Sequence, residues 1–295
     1  MRTDVLRLDL RLRRRMLTAT GLAAGAYLLL VVAAYPAFKH DSGLDAMVAA
    51  NPAAAAAFGI NGSITSTAGW LDANMYANVA PLLALLLSIG YGATAIAGQN
   101  ADGTLGLLAS LPLSRTAALA QKMAALLLVS AVVPGASLLA SLAGPHFGLT
   151  PDWANLLGVS LTLTLLAFDL GAVALLVGAI TDVRGAALGG ASAVAGAAYL
   201  LNALAPVVDA VRSIRWLSPF SWAIGSDTLA AGVEPSGLVA LTALGVALGL
   251  ATFAALRAST STDSARPRLA LTAGSDVGRG GATATSGSPL TSGSP

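Results

Sequence analysis

Residues 154–180 read ANLLGVSLTLTLLAFDLGAVALLVGAI, twenty-seven positions with a single charge, Asp169. A helix rises about 1.5 Å per residue, so about 20 apolar residues cross the roughly 30 Å hydrocarbon core of a bilayer. This stretch has length to spare. Residues 17–35, 79–97, 117–143, 185–205 and 237–256 are apolar runs of the same order, free of charge apart from Lys122. The short alternating strands of a membrane barrel are absent. In lipid every backbone N–H and C=O must be satisfied within the segment, which leaves helices. The sequence therefore predicts an all-α integral membrane protein with six transmembrane helices.

Composition agrees. Of 295 residues, 56% are hydrophobic and 10% charged, whereas soluble domains carry about 25% charged residues. So few charges could not cover a water-soluble globule of this size, and so much apolar content excludes disorder throughout. Cysteine is absent, which removes disulfides, thiolate nucleophiles and Cys-ligated metals. The net charge of +2 is no nucleic-acid signal, because the basic residues cluster at span ends.

Those residues set the expected orientation. With the N-terminus inside, only Lys39, Arg212 and Arg215 of the 16 lysines and arginines fall outside. The positive-inside rule then places both termini in the cytoplasm of a multi-pass plasma-membrane protein. Trp70, Trp153, Trp216 and Trp222 all fall on the outer side, where indole suits the headgroup layer. Three domains follow: a cytoplasmic amphipathic interfacial helix over 1–16, a six-helix membrane domain over 17–257, and a disordered cytoplasmic tail over 258–295. In the first, Asp4, Arg7, Arg11 and Arg15 share one helix side and Val5, Leu8 and Leu12 another. Asp9 and Arg13 spoil that pattern but can pair at i, i+4. The Arg13–Arg15 run before an apolar stretch resembles a twin-arginine signal, but five further spans favour an uncleaved first helix. The tail is rich in Ser, Thr, Gly and Pro and repeats TSGSP at 285–289 and 291–295.

Between the spans, the first external loop is long enough to carry a short helix near 53–58. Pro81 and Pro134-Gly135 are expected to kink spans two and three. Gly21/Gly25, Gly185/Gly189 and Gly245/Gly249 are GxxxG pairs, a spacing that 32 glycines produce by chance. Asp169 sits near the middle of span four, where a charge costs about 2.5–3.5 kcal/mol and tends to face a cavity or the bundle interior. It is the candidate translocation-path residue; the alternative is a helix-packing hydrogen bond. The external segment 206–236, with Trp216, Pro219, Phe220 and Trp222, suits short re-entrant helices at the outer interface.

Catalytic inventories fail. His40 and His146 lack zinc-site spacing, no span contains histidine, and neither Lys39 nor Lys122 follows the Gly-x-x-x-x-Gly of a phosphate-binding loop. The chain is not expected to be an enzyme. Its most informative stretch is residues 98–115, GQNADGTLGLLASLPLSR. Asp102 can cap a short helix whose apolar side is Leu105, Leu108 and Leu111. Pro112 disfavours helix at the residue before it, and Ser114 can cap the third span. Arg115 then lies at the positive end of that helix, which the macrodipole disfavours. A cation tolerated there suggests a partner; an ordinary loop with snorkelling bases is the plain alternative.

The order Gly103-Thr104-Leu105, Leu111-Pro112-Leu113-Ser114-Arg115 and Lys122 resembles the first cytoplasmic loop of ABC-2 type exporter permeases. Leu217-Ser218-Pro219-Phe220, before the last span, is similar to a second stretch of that family. Gln99 stands where members usually carry a glutamate, leaving Asp102 the only acid in the loop. The resemblance implies that Gln99, Asp102, Gly103, Thr104, Leu105, Leu108, Pro112, Ser114, Arg115 and Lys122 couple to a separate, soluble ABC ATPase subunit. That subunit would bind ATP and Mg, so the chain itself holds no cofactor and no metal. The resemblance further implies a second permease, identical or homologous. Two other classes remain: a gradient-driven secondary carrier, for which repeats and several intramembrane polar groups are expected, and a non-transporting scaffold.

Overall fold

The computed structural model describes residues 4–57, 60, 62–98, 115–225 and 228–264. Residues 1–257 form one compact unit, and the second begins at residue 258. Among the described residues there is no strand, and six helical segments are long and apolar enough to cross a membrane: Val5–Phe38, Thr67–Ala97, Thr116–Ser141, Trp153–Thr181, Arg184–Leu204 and Pro235–Ala258. The first is one unbroken helix, Asp4–Phe38. From Asp4 on, the stretch expected to form an amphipathic helix over residues 1–16 runs into span one without a break. The last helix continues to Ser264, a few residues into the expected tail, and the tail beyond it lies outside the described residues.

The two internal prolines act where their chemistry puts them. A proline ring clashes with the carbonyl four residues earlier and donates no hydrogen bond. Four before Pro134 is Ser130, where the helix Arg115–Ser130 stops before Val132–Ser141 resumes the span. Four before Pro81 is Ala77, and there the second span passes from the π-turn Asp72–Tyr76 into the helix Val79–Ala93. That span starts earlier than hydropathy indicates, at Thr67, because Ser66 caps the turn Thr67–Leu71 by accepting from Gly69 N.

Spans two and four are the centre of the bundle. Of their most apolar windows 67% and 61% are buried, against 22% for spans one and five and 17% for span six. They meet at glycine. A methyl group on Gly92 would overlap the carbonyl oxygen of Gly171, and one on Gly171 would crowd Ser88 O and Leu126. Span three joins through a hydrogen bond between the Ser88 and Ser130 hydroxyls, 2.9 Å. Span one is tied on by Trp70, whose indole N–H donates to Val31 O (2.9 Å) while its ring stacks on Phe38. Trp70 is buried against span one, near the end of each of the two spans.

The loop after span one holds the helices Ser42–Ala50 and Pro52–Ala57, the second close to its expected place. It is fastened by Asp45, which accepts from Thr65 Oγ1 (2.6 Å), from Ser63 Oγ (3.1 Å to each oxygen) and from Thr65 N (3.3 Å). These bonds, that from the Thr65 hydroxyl foremost, hold the Asp45 carboxyl below the ordinary aspartate value. A depressed folded value means the bonds stabilise the loop above the unfolded aspartate pKa and lose their effect as pH falls through the folded one. A ¹³C carboxyl titration should give Asp45 a midpoint below about 3.9; a midpoint at or above it contradicts the loop geometry.

Gly92→Ala should destabilise the bundle by about 1–3 kcal/mol, the usual cost of overpacking, read as a lower thermal unfolding midpoint in detergent. Gly185→Ala, with open space around the added methyl, should leave that midpoint in place. Equal effects would remove the Gly92–Gly171 contact from its central role.

Candidate functional site

Residues 99–114, and with them Gln99, Asp102, Gly103, Thr104, Leu105, Leu108, Pro112 and Ser114, lie outside the described residues; Arg115 opens the third-span helix. The structure describes what flanks them: the π-turn Thr94–Gly98 ending span two and the first turns of span three. Between these flanks lies a buried polar cluster that also takes in span one.

The start of a helix leaves four backbone N–H groups without intrahelical partners. Here Gln121 on span three supplies an acceptor, its Oε1 receiving Val5 N (3.0 Å) and Leu6 N (3.2 Å). One turn on, Asp9 accepts from the Tyr91 hydroxyl (2.8 Å) and lies 3.6 Å from the Lys122 ammonium. Lys122 Nζ donates to Ala95 O (2.7 Å), where the carbonyl end of span two favours a cation. The Arg13 guanidinium covers the Tyr91 ring at 4.8 Å and donates to Thr94 Oγ1, which in turn donates to Gly90 O (2.9 Å). Asp9, Tyr91, Gln121 and Lys122 are all buried. Three helices are therefore cross-bonded at the end of the bundle from which residues 99–114 emerge.

Of the expected coupling residues, Lys122 is placed most definitely. It points inward, onto Asp9 and the end of span two, and is not a snorkelling surface base. Asp9, Arg13, Tyr91 and Gln121 are the residues that sequence reasoning missed. The available signal was that Asp9 and Arg13 interrupt an otherwise regular amphipathic pattern, which is what inward-facing charges do to a helix with a solvated basic side.

A second polar feature lies deeper. Asp169 is 1% exposed, and neither carboxylate oxygen has a hydrogen-bond partner. It lines a cleft of about 410 Å³ with residues of span three (Met123, Leu127), span four (Leu165, Phe168) and span six (Leu241, Gly245, Leu250). Gly245 makes room for the carboxyl, since a Cβ there would lie 2.7 Å from Asp169 Oδ1. The helix-packing hydrogen bond weighed for Asp169 is not formed.

The residues singled out in segment 206–236 separate into two groups. Ser218 caps the short helix Pro219–Ala223 by accepting from Phe220 N (3.3 Å) and donates to Ala198 O on span five (2.7 Å). Pro219 is favoured at the first helical position, and Phe220 is buried edge-on to Tyr199. Thr162 on span four donates to Ala223 O (2.7 Å), closing the dock. Trp222 packs against the core beside them, whereas Trp216 is 67% exposed and stands apart. Among the described residues, no three His, Asp or Glu side chains gather as a metal site.

Removing one partner of a buried ion pair costs about 3–5 kcal/mol, because the other charge stays buried without compensation. Lys122→Met and Asp9→Leu should each lower thermal stability strongly, and the double variant should be more stable than either single one. Additive losses in this double-mutant cycle would show that the two side chains do not act as a pair.

No curated protein and no solved structure matches the chain. The sequence model of one family, described as ABC-2 family transporter protein, matches residues 4–254. That match takes in all six spans and the polar cluster between the first three, and the chain belongs to the ABC-2 family of transporter proteins.

Proposed function

We propose that this chain is the membrane-spanning permease subunit of an ATP-driven exporter in the cytoplasmic membrane. A separate soluble ABC ATPase binds and hydrolyses ATP with Mg, and this chain carries no catalytic group. Residues 99–115 form the handle that the ATPase grips, both termini are cytoplasmic, and a second permease, identical or homologous, completes the substrate route. Asp169 lies on that route.

The observation that carries this reading is the cluster of Asp9, Arg13, Tyr91, Gln121 and Lys122, which bonds span one to both flanks of residues 99–114. A pull on a loop between two loosely packed helices would be absorbed locally. Cross-bonded flanks deliver it to three helices at once, as rocking of a bundle past its neighbours requires. Asp169, a buried carboxyl without a partner, favours a second reading, a carrier driven by an ion gradient.

Co-expressed with its ATPase, the wild-type chain should co-purify with it and change its ATP turnover. Replacing residues 103–115 by a Gly/Ser linker should abolish both effects while the six spans still assemble. Unchanged co-purification and turnover would refute the coupling role. Transport that persists in ATP-depleted vesicles under an imposed proton gradient would establish the carrier.

A further inference from the structure

Asp169 lies sixteen residues from Trp153 and twelve from Thr181, about 24 Å and 18 Å along the helix axis at 1.5 Å per residue. It is therefore far from both headgroup layers. An ionised carboxylate at such depth calls for a counter-charge, and no side chain among the described residues donates to it. The cleft beside it is mostly apolar, with Leu127 on span three, Leu165 and Phe168 on span four and Leu241, Val246 and Leu250 on span six, and the hydroxyl of its one other polar side chain, Thr242, is spent on Leu238 O. The cleft they form, about 410 Å³, falls within the range of about 300–1,000 Å³ usual for small-molecule sites. Apolar walls with a few polar groups are the ordinary make-up of such a site. Phe168 adds an aromatic ring next in sequence to the carboxyl, and such faces attract cations.

We propose that the cleft between spans three, four and six binds a hydrophobic monocation, with its positive centre against Asp169 and its apolar body among the leucines and Phe168. The charge complements a carboxylate that lacks a partner, and the apolar walls match a body that prefers the bilayer to water. A zwitterionic lipid amine is the poorer occupant, because its phosphate would have to follow the amine roughly 15 Å below the headgroup layer. The occupant is a free amphiphilic cation that enters from the hydrocarbon. This rests on the reading of Asp169 as part of the substrate route and adds the substrate's chemical class.

The test uses the purified full-length chain in phosphatidylcholine nanodiscs, without the ATPase. The probes are radiolabelled tetraphenylphosphonium and its anionic counterpart of the same shape, tetraphenylborate; empty nanodiscs correct for partition into lipid. Wild-type protein should bind tetraphenylphosphonium saturably and tetraphenylborate not at all. Asp169→Asn, near-isosteric and uncharged, should weaken phosphonium binding at least tenfold, and Asp169→Glu should retain most of it. Gly245→Val, which fills the space beside the carboxyl, should weaken it as well.

Absence of saturable binding, equal binding by Asp169→Asn, or equal affinity for the borate would each overturn the proposal. So would loss of phosphonium binding when phosphatidylethanolamine replaces part of the phosphatidylcholine, since that would assign the cleft to a lipid amine. Because the ATPase plays no part here, failure leaves the loop-exchange experiment to judge the permease reading by itself.

Discussion

Lipid does not drive helices together, because their neighbours in the bilayer are as apolar as they are; close backbone approach and a few hydrogen bonds must do it. In this bundle that requirement is met at Gly92 against Gly171. With no Cβ on either side, spans two and four come near enough for the flanking residues Leu87, Tyr91, Leu170 and Leu175 to be buried almost completely. Once the central pair is set, the Ser88–Ser130 bond places span three and Trp70 places span one. The periphery then needs little contact of its own. Spans one, five and six keep most of their apolar surface facing outward.

The polar groups inside the bundle fall into two kinds. The Asp9–Lys122 cluster is saturated: carboxylate, ammonium, guanidinium, phenol and amide each find a partner, and the ends of helices one and two contribute the backbone groups that they could not satisfy alone. Low dielectric strengthens such a network and makes any breach expensive, so it behaves as one body. Asp169 is the reverse, an acceptor at similar burial with nothing donating to it. The two kinds differ in what they leave available: the closed network is rigid, whereas the Asp169 carboxyl is an acceptor that its neighbours leave unused.

The sequence shows how differently these features are encoded. Six spans and the interruptions at Pro81 and Pro134 follow from composition and from local chemistry that a single residue carries. The helix–helix contacts do not. Gly92 and Gly171 belong to none of the GxxxG pairs, while Gly185 and Gly189, which do form such a pair, have open space where a side chain would be. A close approach depends on which helices become neighbours, and spacing within one helix does not specify that. Span one illustrates the same limit. Asp9 and Arg13 look like a local i, i+4 pair, yet both turn to Tyr91 on span two, Arg13 reaching also to Thr94 and Asp9 to Lys122 on span three. The Leu-Ser-Pro-Phe stretch is intermediate. Its cap and N-terminal proline are local signals, whereas the burial of Phe220 against Tyr199 comes from docking on span five.

The placement of the cleft bears on how such a bundle could move. Span six has the least buried surface of the six, with 17% of its apolar window covered. It meets the rest of the chain through glycines, with Gly237 beside the Trp222 backbone, Gly245 beside Asp169 and Phe168 and Gly249 beside Met123, and through the buried side chains of Leu241 and Thr252. The opposite wall of the cleft belongs to span four, which is locked to span two. The two walls thus differ in how firmly they are held, 61% of the apolar window of span four being covered against 17% of that of span six, and the Asp169 carboxyl sits on the firmer one.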